Sequence, residues 1–250
     1  MNKVAQLILP LTGAMAIVIS QSVSLLAAPF APHPLLKLAQ RPEPSNGNST
    51  PRGDTTPGTT RPESACKPTS RPLEAIVANQ GQDWTTSPHP TFLFYIPYNP
   101  EEINSITFSL NKTEGETIYE IVETIYRTNV KLTETSGIIK ITIPAQPEYA
   151  LESGELYKWY LTVDCKSEQF DEIDPGIPDL FVKGWVRRLP IDSEEGIFWQ
   201  DEVVRLAELY FSEPENSEYK ENWEQFLQDF NMEVSIEVPL VDFSLVPPED

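Results

Sequence analysis

Histidine is nearly absent: the 250 residues hold only His33 and His89. A serine or cysteine nucleophile is ordinarily activated by a neighbouring imidazole. His33 lies in a proline-rich stretch and His89 precedes Pro90 at the start of an apolar run, so neither is placed to be that base. Cysteine is equally scarce, with Cys66 and Cys165 as the whole inventory. A zinc site would need both thiols and both imidazoles to converge, so the expectation is no metal and no cofactor. Basic charge is short as well, with 18 Lys and Arg against 38 Asp and Glu, a formal net charge of −20. That field opposes nucleic acid phosphates and anionic membranes, keeps the chain soluble, and leaves cationic ligands and basic proteins as acceptable partners. The carboxylates are scattered, and no pair stands out as an acid and base flanking a scissile bond. These absences together argue against an enzyme.

What is present begins with a leader. Lys3, an apolar stretch from Val4 to Ile19, and Ala27 with Ala28 form the pattern of a secretory signal over residues 1–28. Leu26 occupies the position where a cleavage site prefers a small residue, so an uncleaved anchor stands beside a cleaved signal as a reading, and membrane attachment is expected only through it. Either way the chain is expected to be exported, to the periplasm or the exterior. Residues 29–63 are rich in Pro, Ser and Thr and poor in apolar mass, the composition of a disordered tether. The sequon at Asn48 and the Arg52, Gly53, Asp54 triplet within it are short matches that carry no function here. In an exported chain the two cysteines are most simply one disulfide, Cys66 to Cys165.

From residue 64 to 190 short β-branched or alternating segments recur, separated by turn residues. They fall near 73–78, 91–97, 104–110, 117–125, 138–143, 155–165 and 180–189. Seven strands without an intervening helix predict a seven-stranded antiparallel immunoglobulin- or fibronectin-like sandwich. Leu151, Gly154 and Tyr157 have the spacing of a tyrosine corner, in which the ring packs inward and its hydroxyl bonds back to the loop. Beyond Leu189 the period changes. Trp199, Val203, Leu206 and Tyr210, then Tyr219, Trp223, Phe226 and Phe230, recur at helical spacing and predict an acidic helical hairpin over 191–232, followed by an extended segment, 233–250. From Asp192 to Phe230 there are 12 acidic and two basic residues, a charge of −10.

Four ordered blocks, "HPTFLFYIPY", "LESGELYKWYLTVDC", "FVKGWVRRL" and "GIFWQDEVVRLAELY" with "WEQFLQDFNM", resemble those of the cyanobacterial family called domain of unknown function 928, from about Arg61 to Leu240. The resemblance implies an exported protein without assigned activity and supplies no catalytic residues.

Three features remain as candidate contacts. Trp84, in the polar stretch "NQGQDWTTSP", could stack on a sugar ring or fold back over the end of the sandwich. In "HPTFLFYIPY" Phe92, Phe94, Ile96 and Tyr98 form one face, while Leu93 and Tyr95 make the second face apolar too. That second face must be covered by the helical stripe or by a partner. The loop from Asp164 to Asp179 gathers six carboxylates that a calcium ion could use, without the order of a known calcium loop. The reading is a non-enzymatic binding or scaffolding protein of the cell envelope acting through protein contacts, with a glycan-binding domain as the alternative.

Overall fold

The computed structural model describes residues 54–59, 65–77, 82–114, 120–133, 135–166, 178–192, 198–230, 232, 234 and 237–247. The leader and most of the expected tether lie outside the described residues. The chain is mainly β with two C-terminal helices. Its strands are β1 Asp54–Thr59, β2 Glu74–Ala75, β3 Gln82–Thr85, β4 Thr91–Ile96, β5 Ile103–Glu114, β6 Glu120–Leu132, β7 Gly137–Thr142, β8 Leu156–Cys165, β9 Leu180–Arg188 and β10 Phe243–Val246. The helices are α1 Trp199–Ser212 and α2 Ser217–Asp229.

The expected seven-stranded immunoglobulin-like sandwich is corrected in its topology. The larger sheet runs β1-β9-β8-β5-β6-β10 with β3 also paired to β9, and the smaller runs β2-β4-β7. That is seven strands against three, where a seven-strand immunoglobulin sandwich divides four and three. Furthermore, β3 pairs parallel to β9. All seven expected strands have a counterpart, but β1, β3 and β10 were not foreseen. β1 lies inside the stretch read as tether, because the pairing of Asp54 with Lys183 and of Gly58 with Phe181 supplies order that a segment containing Pro57 does not signal by itself.

The two sheets meet over aromatic rings. Phe92 and Phe94 of β4 pack against Phe108 of β5 and Trp159 of β8, with centroid separations of 5.2 Å for Phe92 to Phe108 and 5.6 Å for Phe94 to Trp159. Ile106, Leu110, Ile139, Ile141, Leu161 and Val163 complete this layer, all at most 1 % exposed. Burying side chains of this size contributes roughly 1.5–3 kcal/mol each. The sheets are also joined at their edge by the C-terminal segment. Backbone bonds from Ile138 N to Pro239 O and from Val241 N to Ile138 O tie it to β7, and β10 then pairs with β6. Gly137 permits that approach: a Cβ there would lie 2.4 Å from Val241 Cγ1 and 2.8 Å from Pro239 O.

The tyrosine corner is formed. Gly154 adopts φ +89°, which favours glycine, and the Glu152 N–H donates to Tyr157 Oη at 2.7 Å. Burial pushes the Tyr157 hydroxyl pKa above its ordinary value.

Helix α1 packs against β4 of the smaller sheet and β3 of the larger, and α2 packs on α1. Trp199 at the start of α1 meets Phe230 just past α2 with centroids 5.1 Å apart, which sets the two antiparallel. Asn216 caps α2, its side chain accepting from the N–H groups of Glu218 and Tyr219. Polar ties fix α1 to the strands. Asp201 accepts from the Thr85 hydroxyl and from both the N–H and the hydroxyl of Thr86, the latter two at 2.8 Å. The Gln200 side-chain amide donates to Thr91 O. Further along, Lys140 of β7 pairs with Glu208 at 2.9 Å.

Candidate binding face

Tyr157, Trp159, Leu161, Val163 and Cys165 of β8 are buried, while Lys158, Tyr160, Thr162 and Asp164 between them are half-buried. On β9, Leu180, Val182 and Val186 join the core, which leaves Phe181, Lys183, Trp185 and Arg187 on the outer face. Strand alternation therefore presents one open face of the larger sheet.

Register arranges that face into rows across β6, β5, β8 and β9. One row is Arg127, Ser109, Tyr160, Lys183; the next is Asn129, Thr107, Thr162, Phe181; the third is Thr124, Asn111, Lys158, Trp185. With strands about 4.8 Å apart, each row spans roughly 14 Å. No carboxylate occupies any of these positions, in a chain with 38 Asp and Glu. Cations do occupy them, and Lys131 continues the Arg127 side of β6, exposed to solvent.

Side-chain contacts hold the face in place. Thr107 donates to Asn129 at 3.0 Å, Thr124 donates to Asn111 at 2.9 Å, and the Asn111 amide donates to Lys158 O at 3.1 Å. Lys158 Nζ lies over the rings of Tyr160 and Trp185, 4.9 and 5.1 Å from their centroids, and Lys183 Nζ lies 5.3 Å from that of Phe181. Trp185 is 4 % exposed and so supports the face rather than presenting its ring to solvent. At one end the face closes on Asp164, whose carboxylate accepts from Ser105 Oγ at 2.9 Å and from the Asp179 N–H at 3.2 Å.

Trp84 belongs to this face. It lies on β3 rather than in a loop, half-buried, with Asp83 and Thr85 on either side turned inward at 1 % and 0 % exposure. In the parallel pairing it stands beside Arg187, whose guanidinium donates to Gly154 O at 3.0 Å.

The other candidate contacts separate. Leu93 and Tyr95 are 1 % and 8 % exposed, on the side of β4 where α1 packs, so they are not contacts open to a partner. Trp199 and Val203 of α1 and Trp223 and Phe226 of α2 are buried as well. Cys66 and Cys165 are joined, with Cα atoms 5.0 Å apart. Beside them Asp179, fully buried, accepts the Cys165 N–H at 3.0 Å and the Ala65 N–H at 3.2 Å. Of the acidic loop read as a calcium candidate, Glu168, Asp171, Glu172 and Asp174 lie outside the described residues. Its two ends, Asp164 and Asp179, both accept hydrogen bonds from protein donors, and among the described residues no group of three or more His, Cys, Asp or Glu is arranged to hold a metal. Among the same residues no helix is long and apolar enough to cross a membrane.

Reasoning from sequence found Trp84 but missed Lys158, Tyr160, Phe181, Arg127 and Arg187. For all but Arg127, which lies on β6, the signal was present in the outward positions of "LYKWYLTV" and "FVKGWVRR", where cations and aromatics alternate with the core set.

The profile of a protein family described as Domain of Unknown Function (DUF928) matches residues 56–197. The matched stretch begins within β1, holds β2 to β9 and stops short of α1, so the resemblance read as far as Leu240 is supported over these strands and not over the helices. Searches of curated proteins and of solved structures return no match.

Proposed function

Because the chain belongs to the DUF928 family, whose description assigns no chemistry, we propose from its geometry that it is a non-enzymatic binding or scaffolding protein of the cell envelope. Its working surface in this reading is the outer face of β6, β5, β8 and β9. The proposal includes export through the N-terminal segment, to the periplasm or exterior, and the cyanobacterial source that the sequence resemblance implies. One observation carries it: an ordered sheet face whose three central rows hold no carboxylate and bear Arg127, Lys158 and Tyr160, on a chain of charge −20. Solubility does not need such segregation, since acidic residues spread evenly would serve as well. Sandwich-like β proteins commonly bind through a sheet face, which is an analogy of fold and nothing more. Incubation of the full chain with a native envelope fraction tests the reading. Co-sedimentation lost in Lys158→Glu/Tyr160→Ala, with the circular dichroism unchanged, supports it; equal retention of that variant places binding elsewhere and rejects the face.

A further inference from the structure

We infer that the occupant of this face is an acidic polysaccharide; the inference rests on the binding-face reading above. Three properties of the face select that chemistry. Its cations Arg127, Lys131 and Lys158 stand at separate positions on β6 and β8 instead of clustered at one point, which suits charge repeated along a polymer. Tyr160 and Trp84 bring aromatic rings beside the cations, and rings of this kind present apolar area with a polar edge to a pyranose. Between them run the half-buried hydroxyl and amide groups of Thr107, Thr162 and Asn129, which match a hydroxyl-rich ligand rather than an apolar one. The face is open and extended, roughly 14 Å across, so it fits a stretch of chain and not an enclosed small molecule.

Net charge does not defeat this. Screening confines the field of exposed charges to about 8 Å at physiological salt, so a ligand seated on the face meets its local cations before any carboxylate beyond that distance. The same argument predicts strong weakening as salt rises.

The probe is polygalacturonate, with neutral dextran and single-stranded RNA as comparisons, titrated against the intact chain. The variants are Arg127→Gln/Lys131→Gln/Lys158→Gln and, separately, Tyr160→Ala, all at outward positions, each checked by circular dichroism. The expected result is salt-sensitive polygalacturonate binding, weaker in the triple variant by on the order of tenfold because three exposed ion pairs are removed, weaker also in Tyr160→Ala, and absent for dextran. Equal binding of dextran, or a preference for RNA, overturns the acidic-sugar assignment while leaving the face in use. No binding of any probe, with envelope capture intact and still lost in Lys158→Glu/Tyr160→Ala, overturns the assignment and retains the face. In that case concentration-dependent self-association lost in the triple variant identifies the acidic helices of a second copy as the occupant. Failure of envelope capture as well overturns both readings.

Discussion

Strand β4 of the smaller sheet is buried on both faces, and β8 of the larger on one. In β4 every residue from Phe92 to Ile96 is buried, because the core lies under Phe92 and Phe94 and α1 packs on the strand from the side of Leu93 and Tyr95. In β8 buried and half-buried residues alternate from Tyr157 to Cys165. The sequences differ accordingly: "TFLFYI" is apolar from its second residue on, whereas "LYKWYLTVDC" is apolar at every second position. A strand with nothing polar to spare is committed to structure on both sides, and a strand with one polar row has a side left for function.

The largest effect should come from the layer the two sheets share. Trp159→Ala removes a fully buried ring from between them and is expected to cost about 3–5 kcal/mol, read as a lowered midpoint in urea. Leu93→Ala tests the second covered face: a loss of about 2–5 kcal/mol is expected if α1 seals β4 there, and a cost near zero would mean the helices do not. Asp201→Ala leaves the donors of Thr85 and Thr86 without their acceptor and should cost about 1–3 kcal/mol. Alkaline titration adds a smaller decline. Burial raises the pKa of both Tyr98 and Tyr157, so the folded state keeps protons that the unfolded state releases. The stability tied to this is complete below the unfolded value of about 10 and is lost as pH climbs through the raised folded values, which chemical denaturation at stepped pH will show. The smallest effect belongs to the open face, where Tyr160→Ala is expected to change stability by no more than about 0.5 kcal/mol while weakening binding.

Much of the architecture was legible because it is written in period. The alternation of Ile106, Phe108 and Leu110, and of Tyr157, Trp159 and Leu161, placed the inner strands, and the helical recurrence from Trp199 to Phe230 placed the hairpin. Sheet membership was not legible. β3 is four residues long and β1 includes Pro57, and each gains its order from β9, more than 90 residues away. The distribution of seven and three strands depends on those pairings. The candidate face was half legible for a related reason. Each strand shows which residues face outward, but only register reveals that Arg127, Ser109 and Tyr160, distant in sequence, stand in one row. Leu93 and Tyr95 were read as a face in need of cover, and the cover came from within the chain.

The carboxylate of Asp179 has a consequence for how the molecule matures. It receives the N–H of Ala65 and the N–H of Cys165, groups that belong to the two segments carrying the thiols. It therefore works as a jig, holding both backbones in place by hydrogen bonds that need no oxidant. The expected order of events is docking first and oxidation second, with the covalent bond recording a proximity already reached. In Asp179→Asn, oxidative refolding should lag behind that of the parent chain, even where the finished bond is the same.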